Sequence, residues 1–256
     1  MILAIDIGNT SISVALLNGM RVKWVGNLDV QLTAKDLSGR FQKIITTIFR
    51  GKIKISEAIV CSVVPDKTNL IVRLIKRELG VPARVVGKDL EVPVVNRYHN
   101  PKQVGQDRLI VAYAVKMLYG YPAIVIDFGT AITFDVLSSK GHYEGGLIVP
   151  GIRLSIESLY LKTALLPRVE SVKSPKLLIG KNTQESILSG IFYGYGEMCN
   201  GLIDRISSNV KGNPKIIVTG GYTTVMKRFI AAKITKIDRF LVFKGMALLY
   251  KHSQSH

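Results

Sequence analysis

Apolar positions near the N-terminus come in strand-like runs. Ile2 to Leu17 holds two stretches rich in β-branched residues on either side of Gly8-Asn9-Thr10, which predicts a hairpin. Ala123 to Leu137 (AIVIDFGTAITFDVL) repeats the pattern. Superposing the two segments pairs Ile5 with Ile126, Asp6 with Asp127 and Gly8 with Gly129, an offset of 121 residues in a chain of 256. A strand–Asp-x-Gly–strand unit that recurs at nearly half the chain length predicts an internal duplication. The halves continue alike. Each has a continuous apolar strand ending in small residues, Ala58 to Val64 in one and Ile216 to Gly221 in the other. Helical patterns follow over Asn69 to Leu79 and Thr224 to Ile230. Buried-type strands alternating with helices predict an α/β architecture with helices on the sheet faces. Two further helices are expected. Asp107 to Leu118 would stop at Gly120, and Thr183 to Ser208 would start from Asn182 as cap with Glu185 at the third helical position. Two related lobes with a cleft between them follow as the expected organisation.

Composition narrows the class. Apolar residues make up 47% of the chain and the mean hydropathy is +0.25, so low-hydrophobicity disorder is excluded for the bulk of it. No apolar stretch approaches the roughly 20 residues of a membrane-spanning helix. Asp6 and Asn9 interrupt the opening run and no basic segment precedes it, so no secretory signal is expected. Cys61 and Cys199 are the two cysteines, which exclude a disulfide framework or cysteine zinc site. A soluble, reducing, cytoplasmic setting is the default expectation. Charge adds a separate feature: 35 Lys and Arg against 18 Asp and Glu give +17. Such a field favours anionic partners. The basic residues are scattered, as in Lys35, Lys43, Arg50, Lys52, Lys227, Arg228 and Lys233. No run of five or six like charges marks a nucleic-acid tail, and a solvated basic surface is the favoured reading.

Four elements carry candidate chemistry. In Asp6-Ile7-Gly8-Asn9-Thr10-Ser11, Gly8 lets backbone approach a ligand, and Asn9, Thr10 and Ser11 offer donors to phosphate oxygens. Asp6 would stand where a hydrated magnesium ion could bridge to them, or it simply caps a turn. Asp127-Phe128-Gly129-Thr130 is the second such loop, and two of them facing each other could clamp a triphosphate with its cation. Gly105-Gln106-Asp107-Arg108 opens a helix, where an ionised carboxylate is favoured and could accept a hydroxyl proton. An ordinary first-turn acid would look the same. Gly180-Lys181-Asn182-Thr183 suits helix capping, while Gly190, Gly194, Gly196 and Gly201 in the same helix imply close approach of a partner helix or a ligand. The Gly220-Gly221 pair could let a nucleotide base or ribose lie against bare backbone. His99, His142, His252 and His256 have no ligand spacing. Trp24 is expected to pack, and both cysteines to be buried and inert.

Together these elements resemble the type III pantothenate kinase family, a branch of the acetate and sugar kinase, Hsp70 and actin superfamily. The resemblance runs from Met1 to about Gly245. It includes Asp6 to Thr10, Tyr98-His99-Asn100-Pro101 leading into Gly105 to Arg108, and Ile126 to Ala131. It continues through Glu144-Gly145-Gly146, Pro150-Gly151, Thr163 to Pro167, Gly180 to Thr183 and Thr219-Gly220-Gly221. It implies duplicated ribonuclease H-like, actin-like lobes over 1–115 and 116–256, and the reaction of ATP with pantothenate to give 4′-phosphopantothenate. By resemblance Asp6, Ile7, Gly8, Asn9, Thr10, Ser11, Ile12, Ser13 and Thr130 would contact ATP. Asp107 would be the general base. Tyr98, Gly105, Gln106, Asp107, Arg108 and Thr183 would hold pantothenate. Asp127 would coordinate a monovalent cation, potassium or ammonium, required alongside Mg2+. A homodimer whose substrate site draws on both subunits is implied as well. The alternatives are a kinase for another small alcohol and a non-enzymatic transcriptional accessory protein.

Overall fold

The computed structural model of the chain describes residues 1–49, 53–230 and 234–254. Arg50, Lys52, Lys233 and His256, named above, lie outside them. The described chain forms two compact units. The first comprises Met1–Val94, His99–Met117 and Phe240–His256, and the second Val95–Tyr98 and Leu118–Arg239.

In the first unit, β1 (Ile2–Ile7), β2 (Ser11–Asn18), β3 (Arg21–Asp29), β4 (Glu57–Ser62) and β5 (Ala83–Val85) form one sheet in the order β3-β2-β1-β4-β5. β1 pairs antiparallel with β2 and parallel with β4. That central position buries both of its faces, which is why it reads as an unbroken apolar run. Leu3, Ile5 and Ile7 project into a cluster with Leu37, Phe41 and Ile45 of α1 (Ala34–Phe49) and Ile71 and Ile75 of α2 (Pro65–Leu79). Trp24 packs against the same cluster, as expected. α2 starts at Pro65, four residues before its periodicity becomes visible, because proline suits the first helical turn.

The second unit repeats this plan. β6 (Ala123–Phe128), β7 (Ala131–Leu137), β8 (Tyr143–Pro150), β9 (Lys215–Thr219) and β10 (Lys236–Ile237) lie in the order β10-β9-β6-β7-β8. β6 is antiparallel to β7 and parallel to β9. The duplication expected from the 121-residue offset is therefore real at the level of strand order and direction. Ile124, Ile126 and Phe128 pack with α4 (Ile152–Lys162), α5 (Thr183–Asn209) and α6 (Thr223–Ile230). The Asn182 side chain accepts from the Glu185 backbone N–H at 2.9 Å, and Glu185 Oε2 accepts from the Lys181 N–H at 2.9 Å. The expected cap of α5 is present.

Where the sequence reading draws a single boundary at 115/116, the chain instead returns to the first unit. There α7 (Leu241–Ser253) packs on β1 to β4. Gly245 makes this possible, because a Cβ there would lie 2.9 Å from the Ile110 side chain of α3 (Gln106–Leu118) and closer still to its carbonyl. Among the described residues, no helix is long and apolar enough to cross a membrane.

Candidate active site

Asp6 is the penultimate residue of β1, and its register partners are Ser13 on β2 and Cys61 on β4. The turn beyond it is closed by the Gly8 N–H donating to the Ser11 carbonyl at 2.9 Å. At the same sheet edge, the Val63 N–H donates to the Ile7 carbonyl at 3.0 Å. Ser62 Oγ accepts from the Val64 N–H at 3.0 Å and from Thr68 Oγ1 at 2.6 Å. The ends of β1 and β4 and the start of α2 thus meet at the carboxyl ends of parallel strands, where α/β sheets place ligands.

α3 brings Asp107 to this edge. A Cβ on Gly105 would meet the Asp107 carboxylate and would lie 3.7 Å from Val63 Cγ1, so the first turn of α3 sits against the β4–α2 loop. Cys61 confirms the convergence. It is fully buried, and its thiol is pushed well above its usual value by burial and then by the charges of Asp6 and Asp107. Asp6, beside Cys61 in the sheet, and Asp107, whose helix turn abuts Val63, thus both lie toward one buried thiol though a hundred residues apart in sequence. The thiol itself is free and buried, as expected.

Burial raises the Asp107 carboxyl above the usual carboxylate range. The Arg108 backbone N–H, which donates to Asp107 Oδ1 at 2.9 Å, and the Arg108 guanidinium oppose that rise. Such a carboxylate is poorly solvated and correspondingly more basic, a property that suits proton abstraction. Gln106 lies against Gly87, where a Cβ would stand 2.7 Å from Gln106 Cγ. Gly87 has φ +82, so that turn has two reasons to be glycine.

Of the expected nucleotide-binding stretch, Asn9, Thr10 and Ser11 are exposed, while Ile7 and Ile12 are wholly buried in the hydrophobic cluster. Those two can offer a ligand only backbone groups. In the second unit, Asp127 is the penultimate residue of β6 and pairs with Thr219 of β9, matching Asp6. Its loop is built by close backbone packing. The Gly129 N–H donates to the Ala131 carbonyl at 3.1 Å, the Gly151 N–H to the Thr130 carbonyl at 3.0 Å, and the Tyr222 N–H to the Phe128 carbonyl at 3.2 Å. Gly220 (φ +95) packs so closely on this loop that a Cβ there would run into the Asp127 carboxylate and stand 2.6 Å from the Phe128 backbone. Gly220 is thus required by the protein itself, and of the Gly220-Gly221 pair it is Gly221 that leaves open space for a ligand. Thr130 is exposed at the loop tip, and Thr183 is exposed at the first turn of α5. Tyr98 is half-buried in the second unit beside Gly145 and Tyr143. Nothing in its sequence context announces those neighbours. Two cavities of about 640 and 510 Å3 include none of Asp6, Asp107 and Asp127.

A sequence profile of type III pantothenate kinases matches residues 2–205. The chain belongs to the type III pantothenate kinase family. A type III pantothenate kinase of Persephonella marina is 40% identical over 255 residues, covering 98% of this chain and 99% of that protein. One of Moorella thermoacetica is 36% identical, with 99% and 100% covered. Among solved structures, a protein described as a Baf family transcriptional activator from Campylobacter jejuni superposes with TM-score 0.61 at 19% identity, covering 99% of this chain and 100% of that one. A ROK family glucokinase from Streptomyces griseus, solved with glucose and AMPPNP, gives 0.57 at 11% identity, with 96% and 98% covered. These two structures share the fold of this pantothenate kinase family member, the actin-like and sugar-kinase architecture that its duplicated sheets display.

Proposed function

We propose that this protein transfers the γ-phosphoryl group of ATP to the hydroxyl of pantothenate, releasing ADP and 4′-phosphopantothenate, at the entry to coenzyme A biosynthesis in the cytoplasm. Family membership supports the substrates. The observation that carries the chemistry is the half-buried Asp107 carboxylate, which lies with Asp6 near Cys61. In this reading Asp107 accepts the proton as the pantothenate oxygen attacks the γ-phosphorus in line with the leaving ADP oxygen. Catalysis is otherwise positioning and charge neutralisation. Asn9, Thr10, Ser11 and Ser13, with the backbone of Ile7, Gly8 and Ile12, hold the phosphates, and Thr130 contacts the nucleotide. Tyr98, Gly105, Gln106, Arg108 and Thr183 hold pantothenate.

The donor chemistry fits the ions this reaction uses. Among the described residues no group of three His, Cys, Asp or Glu is placed to hold a metal ion. Mg2+ needs fewer protein ligands than that: a carboxylate such as Asp6 would hold it with its waters and the substrate phosphates, and it would neutralise developing charge there. Asp127, whose register partners are Thr133 and Thr219, would offer its carboxylate oxygens, hard donors, to potassium or ammonium.

A homodimer belongs to the same proposal. Gly190, Gly194 and Gly201 share one exposed face of α5, and a Cβ on any of them would meet nothing within 4 Å. Leu161, Leu165, Leu177, Leu178 and Ile179 are large, apolar and exposed nearby in sequence, a pattern that marks an association surface.

ADP release measured with and without pantothenate, and with potassium replaced by sodium, tests the reading. Release should require pantothenate and fall in sodium. Pantothenate-independent release would sink the acceptor assignment, and equal rates in the two salts would remove the cation from Asp127. The net charge of +17 favours a second reading, a nucleic-acid-binding accessory protein. It predicts steeply salt-dependent DNA binding without phosphoryl transfer.

A further inference from the structure

Asp135 and Tyr143 are almost wholly buried, at 1% and 0% exposure, and the proposed chemistry uses neither. The Tyr143 hydroxyl donates to Asp135 Oδ1 at 2.8 Å, and Thr133 Oγ1 donates to Asp135 Oδ2 at 3.0 Å. Burying a carboxylate among strands is costly even when its oxygens are hydrogen-bonded. A phenylalanine and an aliphatic residue would fill the same volume without that cost. A buried polar pair of this kind is best explained by the placement it enforces, and what it places is Tyr98.

The backbone of Tyr143 grips the segment that carries Tyr98. Its N–H donates to the Val95 carbonyl at 2.9 Å, and its carbonyl accepts from the Arg97 N–H at 2.8 Å. Asn96, the bridge partner of Tyr143, then accepts the Tyr98 N–H on its side chain at 3.0 Å. The Tyr143 ring lies 6.5 Å from the Tyr98 ring, tilted by 38°. The strand is also shaped for that ring. Val136 pairs with Gly145 but Leu137 pairs with Tyr143, so Glu144 is the extra residue of a bulge. Gly145 at φ +117 leaves a bare surface, where a Cβ would stand 3.2 Å from Tyr98 Cε2 and 3.3 Å from Cδ2.

We infer that Tyr143, pinned by Asp135 and Thr133, is a positioning residue that fixes Tyr98 over the Gly145 bulge and thereby sets the affinity for the acceptor alcohol. The inference rests on Tyr98 contacting pantothenate. Tyr143→Phe should raise the KM for pantothenate roughly tenfold, within the about 10²-fold that a 1 Å misplacement can cost, and leave the KM for ATP unchanged. In a Tyr98→Ala background the same substitution should have almost no further effect, because coupled residues are non-additive. Parallel rises in both KM values, or effects of the two substitutions that multiply, would mean Tyr143 serves only the core and would overturn the inference. Should Tyr143→Phe fail to fold, Thr133→Val removes a different Asp135 hydrogen bond and must act in the same direction. A second readout needs no turnover. With 3-fluorotyrosine incorporated and the Tyr98 resonance assigned by Tyr98→Phe, its 19F shift should move in Thr133→Val. An unmoved shift overturns the positioning. If the shift moves but Tyr98→Ala leaves the pantothenate KM unchanged, Tyr98 is positioned without being a substrate contact, and the affinity claim falls while the kinase assignment stands.

Discussion

At Asp107 the first turn of a helix does two opposed things. The helix terminus and Arg108 favour the charged carboxylate, whereas burial disfavours it, and burial prevails. A base must be deprotonated to act, so the acid limb of turnover should lie above the usual carboxylate range, with activity lost as pH falls through the raised value. Asp107→Asn should retain ATP binding and lose a factor of roughly 10²–10⁴ in kcat. Near-normal turnover would dismiss Asp107 as the base. Stability should move the other way. A carboxyl whose folded pKa is raised penalises folding only when ionised, so the penalty is absent below its unfolded value and complete above its folded one. Asp107→Asn should therefore melt above the wild type at about pH 8, with the gain shrinking on acidification. A lower melting temperature at that pH would show that the contacts of the charged form outweigh burial. The role of Asp107 was legible in the sequence only as one first-turn acid among several. Its meeting with Asp6 was not, because nothing local to β1 or α3 says that β4 lies beside β1 and presents Cys61 to both.

Elements carry the next level of control, and here glycines separate loops that must be close from helices that merely tolerate them. Gly151 caps α4 directly beneath the Asp127 loop, and a Cβ on it would lie 2.6 Å from the Gly129 carbonyl and nearer still to that of Thr130. Backbone cannot swing aside as a flexible side chain can. Gly151→Ala should cost about 1–3 kcal/mol of stability and raise the KM for ATP by displacing Thr130. Gly39, inside α1 with nothing within 4 Å of its Cβ position, is the control. Gly39→Ala should stabilise by about 1 kcal/mol with unchanged kinetics, and both are readable by thermal denaturation beside initial rates. A Gly151→Ala enzyme with wild-type ATP kinetics would detach Thr130 from nucleotide binding. The two hairpins were legible because β-branched runs flank Gly8 and Gly129 on central strands. The edge strands were not. β3 mixes exposed Arg21 and Lys23 into its pattern, and β8 carries Gly145 and Gly146, residues that weaken any strand signal. The Asp135–Tyr143 pair hid for a related reason, since an Asp and a Tyr in a sheet look ordinary until their partners across the bulge are seen.

For the whole molecule, the repeat extends well past the Asp-x-Gly loops from which it was first visible. Both halves run through the same succession of three strands, a helix, a strand, a helix, a strand and a closing helix, with α4 added in the second and a short 3-10 turn at Pro101–Gln103 in the first. The half-length offset could show this much because duplication preserves order, but it could not show that the last helix returns to the first unit, which depends on the close contact of Gly245 with Ile110. What the single chain does not explain is the exposure of large apolar side chains such as Leu165, at 93%, and the surface at Ile179, at 72%. Ile179 precedes Thr183, an expected pantothenate contact, by four residues. If a second copy covers this surface, association and acceptor binding are linked, and whatever breaks the first must weaken the second. The wild type should sediment at twice its 28.2 kDa chain mass. Ile179→Lys, which places a charge where an apolar partner is expected while touching no core residue, should shift it toward the single-chain mass and raise the KM for pantothenate. The melting temperature at high protein concentration should fall with it, since association stabilises the folded chain by mass action. A monomeric wild type, or a monomeric Ile179→Lys enzyme with an unaltered KM, would leave that surface without a role in the reaction.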